Sequence, residues 1–249
     1  MGKKLILACA ALVALAAFAL PAVASAKPAL CETEGSVCKT LATGVKIRAH
    51  NVGNTKLKSD PASGEPTVLS ECTSASMTGE LTKNSEGIIE GTITTATFEG
   101  EGEVFKGMKQ CTKGLALTAT TNGNNVDGEN VENGTPWCVK GVAANDEFSL
   151  RGGACNEAAR KITFILHTVT AGECKYERAE PVIGTYTTHT STTEDAVLSV
   201  TSKEGTTADT TFKKEAGGVL CPATGTLEMS LTLETDVAGT SPLFIENNP

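Results

Sequence analysis

Chemistry in this chain would have to come from its cysteines, its few histidines, one oxygen-rich loop or its scattered carboxylates. Beyond residue 26 the cysteines are Cys31, Cys38, Cys72, Cys111, Cys138, Cys155, Cys174 and Cys221. No C-x-x-C pair occurs among them, which removes the zinc-ribbon and thioredoxin-type readings. An even set in an exported chain reads as a disulfide framework. Eight cysteines allow about 105 connectivities, and sequence alone does not choose among them. The expectation is nearest-neighbour pairing: Cys31 with Cys38, Cys72 with Cys111, Cys138 with Cys155, and Cys174 with Cys221. Closing the longer loops stabilises by about 2 to 4 kcal/mol each, by limiting the unfolded chain.

The histidines are His50, His167 and His189, widely separated. Neither a His-Glu-x-x-His pair nor a Gly-x-Ser-x-Gly elbow accompanies them. His167 falls in a strand pattern and His189 at a polar strand end, so both read as structural. Ser36-Val37-Cys38-Lys39 has the Ser-x-x-Lys form without the Ser-Asp-Asn and Lys-Thr-Gly elements that go with it, and reads as a short cysteine loop. A carboxylate pair for hydrolysis is set by spacing in space, not along the chain, so a carboxylate-dependent hydrolase is kept as the alternative. No cofactor motif is present, and the expected set of catalytic, cofactor and metal residues is empty.

The stretch from Asn122 to Asn130 is rich in oxygen ligands suited to calcium. As an EF-hand it fails, with Gly123 at the first ligand position and Gly134 where a bidentate glutamate belongs. Asn and Gly at positive φ in a turn account for the same residues. Thr-x-Thr pairs such as Thr92-Ile93-Thr94 and Thr185-Tyr186-Thr187 suggest a ladder for a repeating surface, but their irregular spacing favours the solvent face of antiparallel strands. Trp137, beside Cys138, reads as core packing.

Residues 1–26 must deliver these groups to their compartment. Lys3 and Lys4, an apolar run from Leu5 to Leu20 and the small residues Ala24-Ser25-Ala26 have the order of a secretory signal cleaved after Ala26. The run is shorter than the ~20 residues of a spanning helix, and Pro21 ends it. Cys9 suits a lipid-attachment site only loosely and is expected to leave with the signal. Cleavage removes two lysines and no acid, taking the formal charge from −8 to −10. Nucleic acid and anionic membrane are poor partners for such a chain.

The remaining chain carries short stretches in which apolar residues alternate with threonine and serine, the period of half-buried strands. Ile93 to Phe98, Leu115 to Thr120, Ile162 to Val169, Val197 to Thr201 and Leu227 to Leu233 are the clearest. About one residue in six is threonine, whose branched side chain suits a pleated, wet surface. Asp60 to Pro66 reads as a loop, and residues 141–160 as a possible joint within one domain spanning 27–249. The expected fold is an antiparallel, disulfide-stapled β-sandwich, as one large unit or two tandem Ig-like or jelly-roll-like units. The apolar tail Ser241 to Ile245 is expected to add an edge strand, to this domain or to a second copy.

The run Glu71-Cys72-Thr73-Ser74, Met77 to Thr82 and Gly91 to Phe98 resembles a group of secreted actinobacterial proteins of uncharacterised function. So do Glu173 to Tyr176, Ile183 to Tyr186, Gly217 to Pro222 and Ser241 to Ile245. The resemblance implies an all-β fold and supports pairing Cys72 with Cys111 and Cys174 with Cys221; it brings no catalytic residues. A weaker similarity, through the cysteine-led strand and Gly134-Thr135-Pro136-Trp137, is to small secreted bacterial proteins associated with biofilm and alkane growth. The function expected is that of a secreted, non-catalytic envelope, matrix or binding protein acting on an extracellular ligand.

Overall fold

The computed structural model describes residues 27–34, 37–59, 67–101, 104–105, 108–109, 111, 115–119, 135–142, 146–168, 172–187, 195–201, 210–236 and 243–248. The expected signal segment 1–26, the expected loop Asp60 to Pro66, the oxygen-rich stretch Asn122 to Asn130 and His189 lie outside them. Every regular element among the described residues is a β-strand. In chain order the first are β1 (Lys27–Glu34), β2 (Val37–Thr40), β3 (Lys46–Asn51), β4 (Thr55–Ser59), β5 (Val68–Cys72) and β6 (Ser74–Ser85). There follow β7 (Ile88–Glu99), the short β8 (Val104–Phe105) and β9 (Met108–Lys109), β10 (Leu115–Ala119), β11 (Trp137–Val142), β12 (Glu147–Gly152) and β13 (Ile162–Thr168). The last are β14 (Gly172–Arg178), β15 (Val182–Tyr186), β16 (Val197–Val200), β17 (Thr211–Ala216), β18 (Thr224–Thr235) and β19 (Leu243–Asn248).

The expected sandwich does not form. Strands β3, β6, β7, β11, β12, β15, β16 and β18 pair in that order, all antiparallel, and β18 pairs back onto β3. This is a closed eight-strand barrel. Alternation along each strand is the same in a sandwich and in a barrel, because both bury one face. What decides closure is the pairing of Leu231 to Thr235 with Ile47 to Asn51, residues at opposite ends of the sequence. No local pattern encodes that.

Barrel strands follow one another around the ring in sequence order, as in an up-and-down barrel. After every second strand, however, the chain makes an excursion: β4 and β5 after β3, β8 to β10 after β7, β13 and β14 after β12, and β17 after β16. Since neighbours are antiparallel, all four excursions leave from the same end. There they build a second sheet in the order β5-β4-β18-β17-β14-β13-β10. The twelve-residue β18 belongs to both layers. Its first residues pair with β4 and β17, its later ones with β3 and β16. The stretch 141–160 contains β12, which lies inside the barrel wall.

At this end the core is aromatic. Phe164 lies edge-on to Phe212, Trp137 and Phe98, with centroids 4.9, 5.9 and 6.0 Å away. Trp137, Phe164 and Phe212 are fully enclosed, so Trp137 is a core residue. Such ring pairs add about 0.5 to 1.5 kcal/mol each beyond the area they bury. At the opposite end sits a three-stranded sheet, β19-β1-β2, made from the two ends of the chain. Four disulfides join Cys31 to Cys38, Cys72 to Cys111, Cys138 to Cys155 and Cys174 to Cys221. Four such bonds fit an oxidising, extracytoplasmic compartment.

Candidate functional site: the barrel interior

Eight strands enclose a bore that side chains just fill, or that holds one small ligand. Here the bore is filled near the aromatic end and hollow near the terminal sheet. The register of β7 with β11 places three inward pairs: Trp137 with Ile93, Val139 with Gly91, and Gly141 with Ile89. Glycine replaces a side chain in two of the three. The neighbouring strands contribute Met77 and Leu81 from β6, Ile47 from β3, Leu198 from β16, and Leu231 and Leu233 from β18. Phe148 and Tyr186 close the remaining side. Together they surround a cavity of about 90 Å³ whose surface is almost entirely carbon. Ile47, Ile89, Ile93, Val139, Leu198 and Leu233 all line it and are only half-buried, although each belongs to the barrel's apolar set.

Leu30 from β1 and Ile245 from β19 form the floor. They are buried at 1% and 2% exposure, so the terminal sheet seats firmly under the barrel. One side chain fixes it there. Asn84, near the end of β6, accepts a hydrogen bond from the Leu30 amide at 2.9 Å and donates to the carbonyls of Leu30 and Leu41 at 2.8 and 3.0 Å. Asn84 is itself buried, and it partners the Leu30 amide and the Leu41 carbonyl while sharing the Leu30 carbonyl with the Leu41 amide, which donates to it at 3.1 Å. The Leu243 carbonyl also accepts from the Ala196 amide, holding β19 to the start of β16.

The Tyr186 hydroxyl is pushed above its usual range by burial first and the Asp146 carboxylate second. It is neutral throughout the physiological range. The cavity wall it joins therefore carries no ionised group from that side chain.

The residues singled out in the sequence do not meet in one site. His50 is exposed on the outer barrel wall, its Nδ1 3.7 Å from Glu234. His167 belongs to β13 in the second sheet, opposite Glu173. Lys39 is exposed on β2, and Ser36 lies outside the described residues. The threonine pairs of β7 face outward, with Thr95 hydrogen-bonded to Thr78 across the strands and Thr97 donating to the Ser76 carbonyl at 3.3 Å. Among the described residues, the ligating atoms that cluster are Cys31 Sγ, Cys38 Sγ and a Glu246 oxygen, within 4.8 Å of one another. Both sulfurs are committed to a disulfide, and the thiolate is the form that binds metal.

Several carboxylates are held by cations across the strands. Asp236 pairs with Arg48 at 2.5 Å, Glu228 with Lys58 at 2.6 Å, Glu71 with Lys56 at 3.2 Å and Glu90 with Lys140 at 2.8 Å. The most enclosed, Glu177, receives Lys161 at 2.8 Å and Lys175 at 2.6 Å. Burial alone would raise the Glu177 carboxyl; the two lysine hydrogen bonds and their charges outweigh it and hold it below the ordinary carboxylate range. A general acid needs the opposite shift.

On the outer barrel wall itself, Arg48–Asp236 and Lys140–Glu90 are such pairs, at positions where a membrane-spanning barrel carries an apolar band; the others lie on the second sheet. Among the described residues no helix is long and apolar enough to cross a membrane. Among the described residues, the large apolar side chains exposed on the surface are Val52 and the adjacent pair Val219 and Leu220 at one turn. A pair and a single valine fall short of the contiguous patch, roughly 300 Å² or more, that marks an interaction surface. In the sequence Asn84 reads as part of the turn cluster Asn84 to Gly87 and Tyr186 as part of a Thr-x-Thr pair, and nothing there marks Asn84, Gly91, Gly141 or Tyr186 as part of a cavity or its floor. A glycine inside a strand pattern marks a bulge or a close approach, and Gly91 carried that signal without showing which of the two applied. In comparisons with known proteins, the chain matches no family model, no curated protein and no solved structure.

Proposed function

We propose that this is an exported, non-catalytic binding protein that takes its ligand into the barrel interior. One observation carries the reading: a barrel covered at both ends keeps an apolar cavity at a level where its own side chains have room to fill it. Export is supported by the order of residues 1–26 and by the four disulfides, which belong to an oxidising setting. The hydrolase alternative needs two carboxyls facing one another across a cleft. Glu71, Glu90, Glu177, Glu228 and Asp236 instead face lysine or arginine, so they lend it no support.

The test is organic extraction of protein recovered from the culture medium, before and after unfolding, with gas chromatography and mass spectrometry of the extract. One apolar compound released in a fixed ratio to protein, and only on unfolding, is the expected result. An empty extract from protein that hydrolyses an ester or glycoside panel, with the turnover abolished by a single Glu→Gln change, would replace the binding reading with the enzymatic one.

A further inference from the structure

We propose that the cavity above Leu30 and Ile245 is a site for one small, uncharged apolar molecule, of the size of xenon or benzene and well short of a lipid. The proposal rests on the barrel-interior reading and deepens it by naming the ligand class.

Volume sets the upper bound. About 90 Å³ far exceeds the room for one water and lies below the roughly 150 Å³ of a dry, apolar cavity known to admit benzene or xenon. Benzene therefore enters only with small rotamer shifts at the half-buried Leu198 and Leu233, whereas a chain of a dozen carbons has nowhere to lie. Chemistry sets the second bound. A carbon surface offers water none of the two to four partners it requires, so the cavity is dry. A carboxylate or ammonium head would lose its hydration without gaining a hydrogen bond.

The glycines show that the room is kept rather than left over. At Gly184 a Cβ would collide with the Phe148 ring and the Ser199 carbonyl, and at Gly79 with the Thr92 carbonyl, so both are glycines of necessity. Gly91 and Gly141 are different. A Cβ at Gly91 would stand 3.4 Å from the Glu80 carbonyl and 3.5 Å from Val139, and one at Gly141 3.5 Å from Tyr186 and 3.8 Å from Ile89. These are ordinary contacts, and neither residue has a positive φ. Glycine in a strand is less stable than alanine, so two replaceable glycines hold space open at the expense of stability.

The test uses the full mature chain with its disulfides intact. Thermal melts are recorded with increasing benzene for the wild type and for the G91A/G141A double variant, and crystals of the wild type are pressurised with xenon. Expected are a saturable rise of the wild-type Tm, at least a ten-fold weaker benzene response in the double variant, and a xenon peak between Leu30, Gly141 and Leu233. The double variant melting higher than the wild type without ligand would show that its weaker response is not a folding defect. Should it fail to fold, the xenon peak alone decides. No xenon peak and no saturable benzene effect overturn the proposal. Saturable binding of palmitate in place of benzene would overturn the size class while leaving the barrel-interior reading intact. If benzene, xenon and palmitate all fail and the extract of the recovered protein is empty, both readings fall.

Discussion

The ring of Phe148 lies where the side chain of Gly184 would be, with its Cζ 2.5 Å from the position of a Cβ on that glycine. The two residues face each other across β12 and β15, so an aromatic ring on one strand covers the bare backbone of the next. The Ser199 carbonyl from the third strand is equally close to the same point. Gly184→Ala therefore overpacks against a backbone atom that cannot step aside. It is expected to destabilise by about 1 to 3 kcal/mol in urea unfolding. Gly141→Ala, at an interior position with room, is expected to stabilise by about 0.4 to 1 kcal/mol. Equal effects at the two sites would contradict the packing described.

Asn84→Ala should loosen the floor before it loosens the barrel. Two buried backbone groups, the Leu30 amide and the Leu41 carbonyl, lose their partner, while the Leu30 carbonyl keeps the Leu41 amide. Leaving such groups unsatisfied costs about 1 to 3 kcal/mol each where water cannot replace the bond. Hydrogen exchange checks this: amides of β1 and β19 should exchange faster in the variant, while those of β7 and β11 hold their protection.

Acid and alkali should act through different residues. Glu177 has a folded value below its unfolded one, so its contribution is present above about pH 4.5 and is lost as pH falls through the lowered value. Glu177→Gln should flatten the acid limb of the stability curve. On the alkaline side, burial pushes the Tyr176 hydroxyl up to about 12 from 10.0, while it donates to the Pro222 carbonyl at 3.1 Å. The folded state resists an ionisation that the unfolded chain undergoes, so stability is full below pH 10 and is lost as pH rises towards 12. Tyr176→Phe should remove much of that loss, a difference on the order of 2 kcal/mol. Denaturant midpoints measured from pH 3 to 12 distinguish the two limbs.

Of the four disulfides, Cys174–Cys221 closes the longest loop, 47 residues, and Cys31–Cys38 the shortest, 7. Replacing the first pair with serines should cost about 4 kcal/mol and the second about 2, on chain-entropy grounds. Paired denaturant curves measure both, and a reversed order would mean that strain or residual structure outweighs loop length.

Much of the strand content is legible in the sequence. The patterns from Ile93 to Phe98 and Leu227 to Leu233 fall within β7 and β18, and of the pattern Ile162 to Val169 all but Val169, which lies outside the described residues, forms β13. Alternation shows that a residue such as Leu231 or Ile93 turns to an interior. It does not show whether that interior lies between two sheets or within one, because the answer depends on β18 reaching β3. The length of β18 escapes for the same reason: its two halves serve different layers, yet the apolar–polar alternation from Leu227 to Leu233 runs across the boundary between them. The cavity was illegible because Gly91 and Gly141 matter by what does not occupy their space. Asn84 reads as a turn residue beside Ser85 and Gly87, and only the folded chain brings Leu30 and Leu41 onto its amide.

The terminal sheet sets an order of events. β1 waits for β19, its partner from the far end of the sequence, and pairing so distant along the chain is slow to form. The wall from β3 to β18 closes without β1 or β19, so it can be complete while the floor is still open. For the guest proposed above, the sheet holding Leu30 and Ile245 would then act as a latch, and residence time would follow how often the two ends of the chain part.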